Sequence, residues 1–301
     1  MALKQTFRPA LLAGALIFLA ALPSLGQTPT QSFSNDGVDT TPPSGITVEQ
    51  IIQKFTEKEK EFAQARNNYV YRRSVKVQTL ADDGTPDGEL QEVVDITYDD
   101  KGRPRENVVF APQNTLVRLS LDPEDYEDIR HRYPFVLTSA DITQYQIIYV
   151  GKQKLDELDT YVFDIAPKNL QKEERLFQGR IWVDQQDLQV VKTSGRPAYL
   201  VPQSWIKHPE NMHLFPAFTS YREQVDGKFW FPTYVKADEV LHFPGNPKKK
   251  LLSEDVHLRI IVKYTDYKRF GSSFKIRILD DKGNPVDDIK QPPPPAEKKK
   301  P

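Results

Sequence analysis

Apolar residues recur at two different periods along this chain, and the switch between them divides it. From Thr47 to Arg66 the period is helical. Val48, Ile51, Ile52, Phe55 and Phe62 fall on one stripe, and Glu57, Lys58, Lys60 and Glu61 fall on the opposite face. Thr47 and Gln50 have the spacing of a capping box, and Ile46 and Ile51 stand where a hydrophobic staple closes a helix start. The spacing predicts a helix over 47–66 that lays one side on an apolar surface.

From Tyr69 onward the period is two. Tyr69, Tyr71, Arg73, Val75 and Val77 share one face of a predicted strand over 69–79, with Arg72, Ser74, Lys76 and Gln78 on the other. Further strands are expected over 90–98, with Val94, Ile96 and Tyr98 inward, and over 103–110. Another is expected over 145–150, with Tyr145, Ile147 and Tyr149 on one side. Asp226-Gly227 marks a two-residue hairpin turn between 218–225 and 228–236. Val256 to Tyr264 alternates most cleanly, and Phe274, Ile276 and Ile278 suggest a last short strand. Two stretches break the rhythm. In 111–142, Asp122-Pro123-Glu124-Asp125 caps a short helix whose apolar side is Tyr126, Ile129, Tyr133 and Phe135. The second, 198–215, is a long loop holding Trp205, His208 and His213. The sum is about ten antiparallel strands and two helices, a mainly β (α+β) chain with one apolar, aromatic-rich sheet face and one polar face. Such a sheet must curl, pair with another, or be filled by helices, and the amphipathic helix suits the last solution.

The stretch from Tyr161 to Pro197 anchors the pattern. Tyr161, Phe163 and Ile165 alternate with Val162, Asp164 and Ala166; Phe177, Gly179, Ile181 and Val183 alternate with Leu176, Gln178, Arg180 and Trp182; Asp184 to Asp187 turns the chain back. A strand ending in a proline, a strand ending Ile-Trp-Val-Asp, and a strand ending near Gly195-Arg196-Pro197 together resemble the periplasmic lipoprotein-carrier superfamily, which includes LolA, LolB and RseB. The resemblance spans about Thr47 to Phe270. It implies a curved antiparallel sheet forming an unclosed half-barrel with helices on its concave face. It also implies a cavity that takes the acyl chain of a lipid or lipoprotein, and a membrane transporter or receptor as a further partner. Carriers of this type place a basic residue near the cavity mouth, and Arg103 in Arg103-Pro104-Arg105 matches that region.

Composition changes this picture mostly at the ends. Lys4 and Arg8 precede an apolar run from Ala10 to Leu22, and Ser24-Leu25-Gly26 offers small residues for cleavage, so 1–26 reads as a secretory signal, the run being short of the ~20 residues a spanning helix needs. Residues 27–45, rich in Thr, Ser and Pro, read as a disordered linker, and 284–301, with its prolines and terminal lysines, as an extended tail. That leaves 46–283 as one domain, placed in the periplasm. The chain has no cysteine, which excludes disulfides, thiolate chemistry and the usual lipid anchor. A net charge of −1 supplies no field for nucleic acid.

The search for chemistry returns little. HExxH, GxSxG, GxGxxG and the P-loop are all missing from the sequence. His208, Glu210 and His213 lack a recognised ligand spacing, and Asp122, Glu124, Asp125, Glu127 and Asp128 read as a solvated helix face. No cofactor, metal or catalytic group is expected. The positive signal is aromatic. Tyr71, Val75, Tyr98, Tyr149, Tyr161, Phe163, Ile165, Phe229, Phe231 and Tyr264 fall on interior faces, where they either fill a core or line a greasy cavity, and Arg73 stands among them as a polar mouth residue. Trp182, on the other face of its strand, is expected to cover the outer side or an edge. The functional expectation is an exported, non-catalytic lipid- or lipoprotein-binding protein of the lipoprotein-sorting kind. The alternative is a periplasmic protein-binding sensor of the RseB kind.

Overall fold

The structure, a computed structural model, describes residues 33–99, 103–170, 175–200, 216–243 and 252–269. Ten strands form one antiparallel sheet: β1 (Tyr69–Leu80), β2 (Pro86–Tyr98), β3 (Pro104–Phe110), β4 (Tyr145–Leu155), β5 (Leu158–Pro167), β6 (Leu176–Asp184), β7 (Val190–Ala198), β8 (Phe218–Val225), β9 (Phe229–Phe243) and β10 (Glu254–Arg269). Their order is β3-β2-β1-β10-β9-β8-β7-β6-β5-β4. All neighbours are consecutive in sequence except β1 and β10, whose pairing from Tyr69–Arg269 to Leu80–His257 joins the first and last strands in the interior of the sheet. The sheet does not close, and β3 and β4 are its edges. The expected mainly β, unclosed half-barrel with helices on its inner face is the architecture observed.

This order has a consequence for the open face. β3 and β4 follow one another in sequence yet lie at opposite edges, so the chain between them must cross the sheet. It carries α2 (Pro123–Glu127), which runs into a π-helical turn, Asp128–Arg132. Ile129, Tyr133 and Leu137 from this crossing are buried in the main core.

The other inner helix, α1 (Val48–Arg66), starts as its sequence requires. Gln50 N donates to Thr47 Oγ1 at 3.2 Å, and Thr47 N donates to Gln50 Oε1 at 2.9 Å. Its stripe buries Ile51, Phe55 and Phe62. The Phe55 ring lies 5.6 Å from Phe163 of β5, and Phe62 meets Phe231 of β9 edge-on at 5.1 Å. Burying each such side chain contributes roughly 1.5–3 kcal/mol, which fixes α1 across the concave face.

Three expectations are corrected. First, the outer face is not uniformly polar. Val162, Trp182 and Val191 form a small second core there, against which Trp230 packs, and Trp182 Nε1 donates to Gln153 Oε1 at 2.7 Å. Trp182 thus lies on the outer side, as expected. Second, the acids of 122–128 do not all face solvent. Asp125 and Asp128 are buried, because Asp125 accepts from the Asp122 N–H to close a capping box and Asp128 accepts from Arg175 at 3.0 Å. Third, residues 33–41 of the stretch read as linker are docked. Asp39 forms an isolated antiparallel bridge with Lys152 on the β4 edge, Tyr149 donates to Thr41 O at 3.1 Å, and Arg180 donates to Ser34 O and Asn35 Oδ1, each at 2.9 Å.

Several strands also run longer than their alternation suggested. In β4 a bulge between Tyr149 and Gly151 shifts the phase, so the pattern beyond Val150 no longer reads as a continuation. Gly151, at φ +155°, is where the Asp39 backbone comes close enough that a Cβ would collide with it. Residues 1–32, 201–215 and 270–301, with Trp205, His208, His213 and the strand expected near Ile276, lie outside the described residues.

Candidate functional site: a cleft at the end of α1

The concave face is not filled along its whole length. Where α1 ends at Arg66, an open cleft of about 400 Å³ remains between the last helical turn, the π-helical turn and strands β1, β2, β3 and β10. Tyr71 and Arg73 come from β1, Tyr264 and Tyr267 from β10, Ile96 and Tyr98 from β2, and Glu106 from β3; Arg130 closes one side. Arg73 and Tyr264 are direct partners across the β1–β10 pair. The Tyr71 ring lies 5.2 Å from Tyr267 and 6.0 Å from Tyr264, so three tyrosines form one continuous wall. A smaller pocket of about 190 Å³ adjoins the cleft, sharing Arg66 and Pro134.

Four of the twelve residues singled out by sequence meet here: Tyr71, Tyr98, Tyr264 and Arg73. The others lie elsewhere. Val75, Tyr161, Phe163 and Ile165 are buried in the main core, with Tyr149 packed against it. Phe163 has no exposed surface at all, which is the position of a packing residue. Phe229 and Phe231 join Phe62 and Tyr69 in a second cluster. Arg103 sits at the β2–β3 turn, donates to Asp99 Oδ2 at 2.8 Å, and does not line the cleft.

Tyr267, Arg66, Glu106 and Arg130 were not read from the sequence as site residues. Tyr267 lies one residue out of phase with the alternation ending at Tyr264. Asp266, at φ +58°, breaks the regular strand there and returns Tyr267 to the inner face. Arg66 is the last residue of α1, a place where a cation is explained by the helix dipole alone.

The cleft is polar at its floor. Arg73, only 3% exposed, donates from Nη2 to Glu106 Oε1 at 2.9 Å. Arg130 bridges Glu106 at 3.5 Å and Glu127 at 3.3 Å. Burial raises the Tyr71, Tyr98, Tyr264 and Tyr267 hydroxyls above the ordinary phenol range, so all four are neutral donors at physiological pH. Among the described residues the lining contains no serine, histidine or lysine, and the carboxylates it contains are engaged with arginines. No nucleophile–base pair stands in it.

Next to this cleft α1 is clasped by a buried ion pair. Arg222 of β8 donates to Glu59 Oε1 at 2.8 Å and Oε2 at 3.1 Å, donates also to Phe135 O, and lies over the Phe62 ring at 5.0 Å. Burial raises the Glu59 carboxyl and the Arg222 guanidinium works against that rise. The pair thereby ties α1, the crossing segment and β8 together. No cluster of three or more histidine, aspartate or glutamate side chains able to hold a metal ion occurs among the described residues.

No family model matches the chain, and no curated protein does. Among solved structures, it is similar to a LolA superfamily protein from Nitrosomonas europaea (17% identity over 79% of this chain and 97% of that one, TM-score 0.30). It is also similar to an outer membrane lipoprotein-sorting protein domain from Vibrio parahaemolyticus (11% identity, 72% and 93%, TM-score 0.32) and to MucB (9% identity, 72% and 92%, TM-score 0.25). The first of these carries the name of the group that the stretch around Trp182 resembles.

Proposed function

We propose that this is an exported, non-catalytic binding protein of the periplasm that takes the acyl chain of a lipid or lipoprotein in the cleft at the end of α1. The observation that carries the reading is the cleft itself, an open space of about 400 Å³ walled by Tyr71, Tyr264 and Tyr267 on the inner face of the sheet. That volume falls within the ~300–1,000 Å³ of small-molecule sites, and aromatic walls with a few polar groups are the usual lining of such sites. Removing apolar surface from water supplies affinity at ~25 cal/mol per Å² without any polar partner for the chain. A membrane transporter or receptor would complete a carrier's path.

Displacement of a fluorescent fatty acid tests this. The mature protein is expected to bind the probe saturably at one site, and Tyr71→Glu, which places a charge on the half-buried wall, is expected to abolish binding while the protein stays folded. Absence of saturable binding by the wild type would remove the reading.

A second reading, a periplasmic sensor that binds a protein segment, is favoured by β3. This edge strand is exposed throughout, with Val108, Val109 and Phe110 each 50–60% exposed, and its free backbone groups could pair with an extended segment. Asp39 bridges the β4 edge; β3 pairs only with β2 among the described residues. Val109→Pro would abolish capture of a protein partner on this edge and leave fatty-acid binding untouched.

A further inference from the structure

Two buried donors on neighbouring strands that line the cleft have no acceptor among the described residues. Arg73 is 3% exposed and Tyr264 is 4% exposed, and the two are partners across the β1–β10 pair. Side chains so opposed have Cβ atoms only ~4.5–5.5 Å apart. Arg73 Nη2 is taken by Glu106, but Arg73 Nε and the Tyr264 hydroxyl have no hydrogen-bond partner among the described residues. Buried polar groups are normally paired, and an unpaired one opposes folding, so two such orphans on cross-strand partners that line the cleft call for an acceptor, which reaches them when the Arg73 and Tyr264 side chains turn toward the open space.

The surroundings narrow what that acceptor is. A guanidinium only donates, and the phenol is neutral. Arg66, Arg73 and Arg130 outnumber the two carboxylates of the lining, Glu106 and Glu127, by one positive charge. Both carboxylates are already engaged with arginines. The site therefore favours an oxygen carrying negative charge, or a strongly polarised carbonyl, over a hydroxyl or an amine.

We infer that the cleft recognises the acyl head of its ligand, with a carboxylate or acyl carbonyl oxygen accepting from Arg73 Nε and Tyr264 Oη together and the chain lying on the Tyr71 and Tyr267 rings. This rests on the acyl-chain reading above and adds the chemical group that is read. A free fatty acid supplies a carboxylate; an ester or amide at the head of a lipid or lipoprotein supplies a carbonyl.

The experiment compares three ligands of equal chain length, a fatty acid, its methyl ester and the corresponding alcohol, in displacing one fluorescent probe from wild type, Tyr264→Phe and Arg73→Lys. The acid is expected to bind the wild type about tenfold or more tightly than the alcohol, the size of a hydrogen bond to a charged group. Both variants are expected to lose most of that advantage, so that acid and alcohol bind each of them with similar affinity. Arg73→Lys keeps a cation beside Glu106 but removes Nε. An ester that binds like the acid identifies the carbonyl as the group read; an ester that binds like the alcohol identifies the carboxylate. Tyr264→Phe is expected to melt at the wild-type temperature or above, because it removes an unpaired hydroxyl. Equal binding of all three ligands by the wild type would overturn the inference and leave the acyl-chain reading standing, and so would a Tyr264→Phe variant that melts lower yet still prefers the acid. Failure of all three ligands to bind would remove the acyl-chain reading and the inference together.

Discussion

Glu59 and Arg222 illustrate how much a single residue can fix. Both are essentially buried, and each satisfies the other with two hydrogen bonds. Removing one partner leaves a charge without water or counter-ion, so Glu59→Ala is expected to cost ~3–5 kcal/mol in denaturant unfolding, whereas an apolar pair such as Glu59→Leu with Arg222→Met is expected to cost far less. A single variant as stable as wild type would mean that the pair does not hold α1. The position was half legible in the sequence: Glu59 lies four residues after Phe55 and three before Phe62, squarely on the apolar stripe, and a carboxylate there needs a buried cation. Which cation it meets was not legible, because Arg222 is 163 residues away and only the fold brings it near. On the outer face, Asp238 gives a pH signature. Burial alone would raise its carboxyl, but hydrogen bonds from His257, Lys236 and Arg259 hold it down at about 2, below the ordinary 3.8. A folded-state value below the unfolded one contributes stability above pH ~4 that is lost as the pH falls through about 2. The melting temperature of the wild type should therefore approach that of Asp238→Asn as the pH drops from 5 to 2. A constant difference between the two would contradict this.

Among the elements, α1 and the hairpins were readable because their determinants are local: a capping box, an apolar stripe, a two-residue turn. β6 and β7 show what local reading leaves out. Gly179 and Gly195 are direct partners, and the Phe177 ring lies across them. A Cβ built on Gly179 would stand 2.2 Å from Ser194 O and 2.6 Å from Phe177 Cζ, and one on Gly195 2.2 Å from Gln178 O and 2.5 Å from Phe177 Cζ. The sequence shows two strand glycines, which by themselves suggest weakness. The pairing shows that their missing side chains make room for an aromatic ring that also stacks on Phe135 at 4.2 Å. Gly195→Ala is expected to destabilise by about 1–3 kcal/mol through overpacking. Phe177→Leu in the same chain should relieve part of that loss. Equal stability of Gly195→Ala and wild type would show that both the ring and the β6 backbone can give way. Phe163 belongs at this scale too. Packed on Phe55 and wholly buried, it should cost ~3–5 kcal/mol as Phe163→Ala, the loss of a core phenylalanine. A much smaller loss would make it a cavity wall.

At the scale of the molecule, the decisive feature is the placement of β3 and β4 at opposite edges, which sends residues 111–144 across the open face. Sequence patterning identified an excursion with a short helix in it. It could not show that the excursion helps to close the concave face, since that follows from the non-local pairing of β1 with β10. For the same reason the aromatic residues read as one possible cavity divide into three groups: the main core, a cluster under α1, and the tyrosines of the cleft at the end of α1. The central claim is that binding belongs to this cleft. A fatty acid with a diazirine in its chain tests it most directly: the full protein is irradiated with the ligand, and adducts are located by peptide mass spectrometry. The account predicts adducts that free fatty acid competes away on peptides holding Tyr71, Tyr98 and Tyr267, and none on the peptide holding Phe163. Competed adducts centred on Phe163, or none anywhere, would contradict it.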